Sequence, residues 1–322
     1  MDYVNLGKSG LKVSRIGLGC MTFGSPDWAP WVLDADASAP ILAEAVERGI
    51  NLFDTADMYS KGASEDVLRD KLLPLLPRHK IVLATKLYNP MSDDPNDRGL
   101  SRKHVYDAVD GSLRRLGTDH IDLLQLHRFD YDTPLEETLD ALNDVVRAGK
   151  VRYLGASSMF AWQFMKALGL QRANGWAQFV SMQPHYNLIY REEEREMLPL
   201  CRSEGIGVLP WSPLARGVLA GKRKSTRADS DKVANALYDS ARAQDEAIAE
   251  AVREVADARG VSMARIAYAW VATRPGITAP LVGISRPELF DDAIAALDIT
   301  LDDDEVARLE APYRPKPVAG HQ

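Results

Sequence analysis

The chain contains three hydrophobic runs that each end on a residue able to hold or transfer a proton: Asn51-Leu-Phe-Asp54-Thr-Ala-Asp-Met-Tyr59, Ile81-Val-Leu-Ala-Thr-Lys86 and Asp122-Leu-Leu-Gln-Leu-His127. Short runs rich in Leu, Ile, Val and Phe are typical of strands buried on both faces of a parallel sheet. Parallel α/β sheets place their chemistry at the carboxyl ends of the strands. The runs therefore predict one active-site rim that contains Asp54, Tyr59, Lys86 and His127.

Strand-like and helix-like segments alternate outside these runs as well. Eight strand–helix units follow one another without a linker, repeat or low-complexity stretch, which predicts a single-domain (β/α)8 TIM barrel over residues 1–322. No G-x-G-x-x-G motif follows the first strand, so a Rossmann domain has no support. Three additions are predicted: an N-terminal hairpin from Tyr3 to Val13 that closes the bottom of the barrel, a long polar loop at about 215–240 after the seventh barrel strand, and an extra C-terminal helix from Asp302 to Leu309.

The composition predicts a soluble cytoplasmic protein. The 39 basic and 46 acidic residues leave a net charge of -7, which argues against binding to nucleic acid or to an anionic membrane surface. The two cysteines, Cys20 and Cys201, lie far apart, so neither a disulfide framework nor a metal site is expected. No signal peptide is visible, and no window approaches the ~18 apolar residues of a membrane helix. No pattern indicates the oligomeric state.

The four rim residues suit the donation of a proton to an oxygen atom. A tyrosine phenol with an ordinary pKa of about 10 is too weak an acid for fast donation near neutrality, and a neighbouring ammonium lowers that pKa. Lys86 is the candidate neighbour of Tyr59, and Asp54 could pair with Lys86. His127 could donate a hydrogen bond to a carbonyl oxygen. These roles supply one half of carbonyl reduction, because the hydride must come from a cofactor.

Each rim residue also has an ordinary structural explanation when it is taken alone. Asp54 could cap the segment that follows its strand, and Lys86 could be a solvated surface lysine. His127 could be a hydrogen-bonded core histidine, and Tyr59 could pack within a loop. All four explanations must hold at once to account for the pattern, so the pattern favours an active site.

The chain resembles the aldo-keto reductases, NADPH-dependent (β/α)8-barrel oxidoreductases, over nearly its whole length. The segment Phe53-Asp-Thr-Ala-Asp-Met-Tyr59 is similar to the first signature of that family, and Gly111-Ser-Leu-Arg-Arg-Leu-Gly117-Thr-Asp-His-Ile-Asp-Leu is similar to the second. Tyr190-Arg-Glu-Glu-Glu-Arg-Glu and Trp211-Ser-Pro-Leu-Ala-Arg-Gly resemble the bacterial and fungal branch related to aryl-alcohol dehydrogenases. The resemblance implies a catalytic tetrad with Tyr59 as the general acid, completed by Asp54, Lys86 and His127.

The resemblance also implies a set of residues that bind the cofactor NADPH or NADP+. Ser157, Ser158 and Gln183 would contact the nicotinamide carboxamide, although many family members carry Ser-Asn in place of Ser157-Ser158. Trp211 would stack on the nicotinamide ring, where a broad apolar face fixes the side that delivers hydride. Ser212, Leu214 and Gly217 would line the pyrophosphate path, and the remaining implied cofactor contacts are Gly19, Met21, Asp54, Arg216 and Gly283.

The segment after the eighth barrel strand indicates the preference for NADPH. It reads Gly283-Ile-Ser-Arg-Pro-Glu-Leu-Phe-Asp-Asp292 and opens a helix, whose first backbone N–H groups could hold a phosphate together with Ser285 and Arg286. Arg286 is the only cation in this segment, so the choice of NADPH over NADH depends largely on it. Asp292 is the implied adenine contact, and Leu289 stands where many relatives carry Arg or Gln.

The lining of the substrate site and the role of the basic loop are less defined by the sequence. Trp28, Trp31, Tyr88 and Phe129 could form an aromatic wall for an aldehyde or ketone. Aryl aldehydes, pyridoxal-like compounds and sugar-derived carbonyls all fit such a wall. The loop between 215 and 232 could be a solvated segment or a lid that closes over the dinucleotide. Its basic residues are Arg216, Lys222, Arg223, Lys224, Arg227 and Lys232.

Two other classes of function remain open at this point. Some barrels of the family serve as nucleotide-binding subunits that sense redox state with little turnover, although the complete tetrad argues against that role here. A cofactor-free barrel lyase could use Lys86 as a Schiff-base nucleophile. Such a lysine needs a lowered pKa, whereas a neighbouring Asp54 would raise the pKa of Lys86.

Overall fold

The computed structural model describes residues 1–221 and 241–321. An antiparallel hairpin, β1 (Tyr3–Asn5) and β2 (Lys12–Ser14), precedes a parallel sheet of eight strands. Neighbouring strands in the sheet follow the order β10-β3-β4-β5-β6-β7-β8-β9. The eight strands are β3 (Gly17–Gly19), β4 (Leu52–Asp54), β5 (Val82–Leu87), β6 (Ile121–Leu126), β7 (Val151–Ser157), β8 (Phe179–Gln183), β9 (Gly207–Val208) and β10 (Leu281–Gly283).

The two edges of the sheet meet and close it into a barrel. A parallel bridge joins Trp211, just beyond β9, to Leu281 in β10, and Leu281 N donates to Pro210 O at 2.9 Å. A second contact joins Thr278 N to Val208 O at 2.9 Å. The predicted (β/α)8 barrel is therefore confirmed.

Helices lie between successive strands and cover the outside of the barrel. The predicted helix at 102–116 is present with the predicted bounds, because Ser101 Oγ accepts from His104 N at its start and Gly117 ends it at a φ of 62°. The helix expected from 192 begins instead as a 3-10 turn at Glu192–Glu194. The described helices are α1 (Ala35–Glu47), α2 (Ala63–Val67), α3 (Arg102–Leu116), α4 (Leu135–Arg147), α5 (Ala161–Asn174), α6 (Met197–Glu204), α7 (Arg242–Arg259), α8 (Met263–Thr273), α9 (Leu289–Ala295) and the extra helix α10 (Asp303–Glu310).

The two-residue period of the strands divides the barrel interior into an apolar lower part and a polar upper part. Leu52, Ala84 and Leu123 belong to a small buried cluster inside the barrel. Side chains two positions further along a strand point to the same face. Asp54, Lys86 and Gln125 therefore project into the interior at the carboxyl end, directly above this cluster.

The N-terminal hairpin closes the lower end of the barrel, as the sequence predicts. Leu6 and Val13 are fully buried in the same interior cluster as the strand residues. Lys8 N donates to Gly205 O at 2.8 Å, beside the start of β9. Gly7 adopts a φ of 59°, and a Cβ there would lie 2.5 Å from Gly205 O, so the close approach requires glycine.

Part of the predicted long loop falls beyond the residues that the structure describes. Residues 215–220 form a 3-10 segment with a kink at Arg216 and Gly217. The predicted lid residues Lys222, Arg223, Lys224, Arg227 and Lys232 lie outside the described residues. Among the helices of residues 1–221 and 241–321, none has the length and apolar character needed to cross a membrane.

Candidate active site

Lys86 stands at the centre of the polar layer at the top of the barrel. Its side chain is fully buried, and its Nζ donates to Asp54 Oδ1 at 2.5 Å and to the Thr55 carbonyl oxygen at 2.8 Å. The same Nζ lies 3.4 Å from Tyr59 Oη and 5.0 Å from the centroid of the Tyr59 ring. The structure thus brings three of the four predicted tetrad residues into direct contact.

The protonation of Lys86 reflects a balance between burial and its partners. Burial lowers the pKa of Lys86, but electrostatic attraction to Asp54 and, less strongly, to Tyr59 raises it, as do the hydrogen bonds to both residues. The net pKa of Lys86 lies above its ordinary value. Lys86 is therefore an ammonium near neutrality and places a positive charge beside the Tyr59 hydroxyl.

Two glutamines hold the second carboxylate oxygen of Asp54. Gln125 Nε2 donates to Asp54 Oδ2 at 2.8 Å, and Gln183 Nε2 donates to the same oxygen at 2.9 Å. Gln183 Nε2 also donates to Gln125 Oε1 at 2.9 Å, so the three side chains form one closed network. Gly155 makes room for it, because a Cβ there would lie 3.0 Å from Gln125 Cγ. The network fixes the Asp54 carboxylate, which in turn positions Lys86.

His127 is a buried neutral imidazole in this site. Burial lowers its pKa well below the ordinary value, and the charges of Arg128 and Lys86 lower it further. Asn89 Nδ2 lies 3.2 Å from His127 Nδ1. An amide nitrogen can only donate, so with the amide in this orientation Nδ1 accepts and Nε2 carries the proton. The rings of His127 and Tyr59 meet edge to face with centroids 5.8 Å apart. His127 can therefore donate a hydrogen bond beside the Tyr59 hydroxyl.

A cavity of about 1060 Å³ opens above this layer at the carboxyl ends of the strands. Asp54, Tyr59 and His127 line it, whereas Lys86 lies behind Tyr59 and does not reach its surface. Most of the other residues implied by the family resemblance also line the cavity, namely Gly19, Met21, Ser157, Gln183, Trp211, Ser212, Leu214, Arg216, Gly217, Gly283, Ser285, Arg286 and Asp292.

Trp211 forms a supported aromatic platform in the cavity wall. One side of its indole stacks on His185 at 4.2 Å between centroids and 11° between planes, and His185 stacks in turn on Tyr190 at 4.3 Å and 11°. Trp211 Nε1 donates to Ser158 Oγ at 3.0 Å. Ser158 is absent from the residues that line the cavity. Its position indicates that it orients the indole of Trp211, a different role from the carboxamide contact that the resemblance implies.

The far end of the cavity is lined by the beginnings of two helices. Arg286 is 62% exposed at its side chain, and the nearest carboxylate oxygen, Glu288 Oε2, is 3.9 Å away. Asp292 Oδ1 pairs with Arg265 Nη2 at 3.2 Å. The N-cap and the first two turns of α8 complete the wall with residues that the sequence does not predict to lie there: Ser262, Met263, Ala264 and Tyr268. The Ser262 helix start is visible in the sequence, but its position at the barrel mouth is not.

The aromatic wall is narrower than the sequence predicts. Trp28 and Trp31 line the cavity and meet edge to face with centroids 5.8 Å apart, and the Trp28 ring is 6.5 Å from the Tyr59 ring. Tyr88 does not line the cavity, because the strand-end residue that turns toward His127 is its neighbour Asn89. Phe129 packs instead on Tyr131 and Trp162, with ring centroids 5.0 and 6.3 Å away.

Three further residues near the tetrad are not among those that the sequence predicts. Gln125 interrupts the apolar residues of β6 two positions before His127, and that spacing could have indicated that both face the interior. Asn89 follows β5, three positions after Lys86, but nothing in the sequence distinguishes it from a loop residue. Arg128 lines the cavity beside His127. Its position one residue after a strand-end histidine is the only signal that could have pointed to it.

A closed eight-stranded α/β barrel with a buried Asp54–Lys86 pair behind a cavity-facing tyrosine defines a class of barrel oxidoreductases. The chain belongs to the aldo/keto reductase family, whose family model matches residues 15–314. The predicted resemblance is therefore confirmed.

Individual relatives match over nearly their whole length. The chain is 44% identical over 340 residues to the versiconal hemiacetal acetate reductase of Aspergillus parasiticus, covering 99% of this chain and 98% of that protein. It is 43% identical over 347 residues to the aldo-keto reductase AMT2 of Alternaria alternata, covering 99% of this chain and 93% of that protein. It is 42% identical over 335 residues to a candidate aryl-alcohol dehydrogenase of Saccharomyces cerevisiae, covering 97% of each chain. These relatives agree with the predicted aryl-alcohol dehydrogenase branch.

Proposed function

We propose that the protein is a single-domain cytoplasmic enzyme that reduces aldehydes or ketones to alcohols with NADPH, with Tyr59 as the proton donor. The observation that carries the proposal is the placement of Tyr59 Oη 3.4 Å from the Lys86 ammonium at the edge of the cavity that Trp211 also lines. A phenol between a buried cation and an open cavity can deliver a proton to a bound carbonyl oxygen. Both cysteines are free and buried, in keeping with a reducing compartment.

The residues of the cavity fit a nicotinamide dinucleotide. Ordinary ligand pockets measure about 300–1,000 Å³, so a volume of about 1060 Å³ leaves space for a long cofactor beside a small substrate. The indole of Trp211 offers an apolar seat for the nicotinamide, with Ser157 and Gln183 nearby for its carboxamide. At the other end, the exposed Arg286 and the hydroxyl of Ser285 suit a 2′-phosphate. The bound nicotinamide supplies the hydride, which no side chain can provide.

The proton half of the reaction follows from the side chains. Tyr59 gives its hydroxyl proton to the carbonyl oxygen as negative charge develops there. The Lys86 ammonium stabilises the phenolate that remains, since an opposite charge 3.4 Å away favours the ionised form. Asp54 keeps Lys86 charged and in place, while Gln125 and Gln183 hold Asp54.

His127 orients the substrate and does not supply the proton. Its imidazole is neutral, because the pKa is lowered well below the ordinary value by burial and by neighbouring cations. Its Nε2–H can donate to the carbonyl oxygen while Asn89 holds Nδ1. The substrate oxygen is thereby directed toward Tyr59 Oη, and the carbonyl is polarised for reduction.

Aromatic carbonyl compounds are the proposed substrates. Trp28 and Trp31 form an apolar wall close to Tyr59, which suits a flat ring beside the reacting carbonyl. The name of the relative from Saccharomyces cerevisiae, a candidate aryl-alcohol dehydrogenase, favours the same class.

The Schiff-base alternative is not favoured by the site. A nucleophilic lysine must be neutral and must reach the substrate. Lys86 has a raised pKa because the attraction of its partners outweighs its burial, and its side chain is fully buried behind Tyr59.

Turnover with NADPH tests the proposal directly. Purified protein is mixed with NADPH and a panel of aromatic and aliphatic carbonyls, and the decrease in absorbance at about 340 nm is followed. We expect oxidation of NADPH that depends on an aromatic aldehyde, and recovery of the corresponding alcohol. Binding of NADPH without turnover of any carbonyl would instead support a redox-sensing role.

The preference for NADPH should depend on Arg286. Replacing it with Ala is expected to weaken NADPH binding about 10-fold or more, because a charge-assisted hydrogen bond to the phosphate is lost. The affinity for NADH, which lacks that phosphate, should change by less than about 2-fold. Quenching of tryptophan fluorescence during titration with each cofactor measures both affinities. Arg253→Ala is the matched control, since Arg253 is an exposed arginine on α7 that pairs with Glu250. An equal loss of affinity for NADPH and NADH would mean that Arg286 does not bind the 2′-phosphate.

A further inference from the structure

Arg128 is a cation in the wall of the active-site cavity, and the roles proposed for the four tetrad residues do not involve it. It follows His127 at the end of β6 and lines the cavity together with Tyr59 and Asn89. Its Nη1 donates to the His127 carbonyl oxygen at 2.6 Å. That bond uses one corner of the guanidinium and leaves Nε and Nη2 for other acceptors.

Arg128 has no carboxylate partner within the described parts of the chain. The electrostatic attractions that act on it come from the hydroxyls of Tyr59 and Tyr88. Asp130, the nearest acidic residue in sequence, accepts three hydrogen bonds from other groups. Its Oδ2 accepts from Leu100 N and Thr133 Oγ1, both at 2.7 Å, and its Oδ1 accepts from Asp132 N at 2.9 Å. A half-buried arginine without a counter-ion is costly for a folded protein.

The pKa of Arg128 agrees with the absence of a carboxylate partner among the described residues. Burial lowers the pKa of its guanidinium, and the two tyrosines only partly offset that effect. A guanidinium keeps its charge at neutral pH even so. Arg128 therefore presents an unneutralised positive charge to whatever occupies the substrate end of the cavity.

We infer that Arg128 is a specificity residue that binds a carboxylate carried by the substrate, so that the enzyme prefers aromatic aldehydes and ketones bearing an acidic group near the reacting carbonyl. The inference rests on the proposed carbonyl reduction. The planar fork of arginine matches a carboxylate, and Trp28 and Trp31 hold the ring of the same molecule. Because Arg128 adjoins His127, the acidic group would lie on the same side of the substrate as the polarised carbonyl.

A different role for Arg128 makes a different prediction. The positive charge could act on Tyr59 and favour its phenolate, in which case every carbonyl substrate would depend on Arg128 to the same extent. A carboxylate contact affects only substrates that carry the acid. Comparing each acid with its own methyl ester therefore separates the two roles.

The experiment measures kcat/KM with NADPH for 2-, 3- and 4-carboxybenzaldehyde and for their methyl esters. For at least one isomer, we expect the wild-type enzyme to prefer the acid over the ester by about 10-fold or more. Arg128→Met should abolish that preference by lowering kcat/KM for the acid about 10-fold more than for its own ester, whereas Arg128→Lys should retain part of the preference. Arg152→Met is the matched control, since Arg152 also donates through Nη1 to a backbone carbonyl, that of Gly149, but lies on the surface.

Two kinetic results would overturn the inference. One is the absence of any acid preference in the wild type, and the other is an equal loss for acids and esters in Arg128→Met. Binding of benzoate to the complex with NADP+, followed by tryptophan fluorescence, gives a readout that does not need turnover. The affinity for benzoate should fall about 10-fold in Arg128→Met. Part of that affinity should be recovered in Arg128→Lys. An unchanged affinity for benzoate in Arg128→Met would contradict the inference. If no carbonyl is reduced but benzoate binding still depends on Arg128, the proposed function fails and the anion site stands.

Discussion

Replacing Tyr59 with Phe is expected to lower kcat for carbonyl reduction by about 10²–10⁴-fold, the range in which a positioned proton donor contributes. Phenylalanine keeps the ring that meets His127 and Trp28, with centroids 5.8 and 6.5 Å away, and removes only the hydroxyl. The affinity for NADPH should stay within about 3-fold of the wild type, because the cofactor contacts are made elsewhere. Steady-state kinetics at about 340 nm and a fluorescence titration with NADPH measure the two quantities.

The control for this variant is Tyr3→Phe. Tyr3 donates its hydroxyl to the Gly49 carbonyl oxygen on the outside of the barrel, so its loss should leave kcat unchanged. Retention of more than about one tenth of the wild-type kcat in Tyr59→Phe would exclude Tyr59 as the main proton donor. His127 would not be an obvious replacement, since burial and neighbouring cations keep its pKa low and its imidazole neutral.

The sequence was sufficient to predict the frame of the site because the barrel obeys simple periodic rules. Each strand run was visible as a short apolar segment, and the residue at its carboxyl end had to lie at the active rim. The period of two then places Asp54 and Lys86 above the apolar interior that contains Leu52 and Ala84. The rim positions of Asp54, Lys86 and His127 were predictable from local pattern alone, and contact between Asp54 and Lys86 follows from the pairing of their neighbouring strands, β4 and β5.

The contacts that the sequence did not predict depend on distances between strands that are far apart in the chain. Gln125 and Gln183 both reach Asp54 Oδ2, and a Cβ at Gly155 would crowd Gln125 at 3.0 Å from its Cγ. Asn89 could be assigned a role only once its amide was seen beside His127 Nδ1. A single sequence without coordinates contains no signal for such cross-strand contacts.

Aromatic residues near the rim show a second limit of sequence reasoning. Trp28 and Tyr88 look equally suited to the substrate wall, yet only Trp28 lines the cavity. Only one of two adjacent residues after a strand faces the cavity, and the path of the chain beyond the strand decides which one. After β5 that residue is Asn89. Ser158 is a similar case, because it contacts the edge of Trp211 and is absent from the cavity wall.

The second large effect is expected from Lys86→Met, which should reduce both activity and stability. Loss of the ammonium removes the charge that favours the Tyr59 phenolate, so kcat should fall by about 10²-fold or more. The variant also leaves the Asp54 carboxylate buried without its cation, which costs about 3–5 kcal/mol in the free energy of unfolding. Urea denaturation followed by circular dichroism measures that change.

A double variant separates the two effects. Asp54→Asn combined with Lys86→Met removes both charges, and replacement of a whole buried ion pair is often nearly neutral for stability. The double variant should therefore regain most of the free energy of unfolding while kcat stays low. If activity returned together with stability, Lys86 would be a structural residue only. Lys150→Met provides the control, since its half-exposed pair with Asp110 at 2.5 Å should be worth less than about 1 kcal/mol.

The dependence on pH gives the Lys86 prediction a further test. The folded-state pKa of Lys86 lies above its ordinary value, because attraction to Asp54 and Tyr59 outweighs burial. The stabilising contribution is therefore fully present below the unfolded-state pKa of about 10.4 and is lost as pH rises through the folded-state value. The difference in unfolding free energy between the wild type and Lys86→Met should stay constant from about pH 7 to 9 and should shrink above about pH 10.4. A difference that grew with rising pH would mean that the site holds Lys86 in its neutral form, which is the form that a Schiff-base mechanism requires.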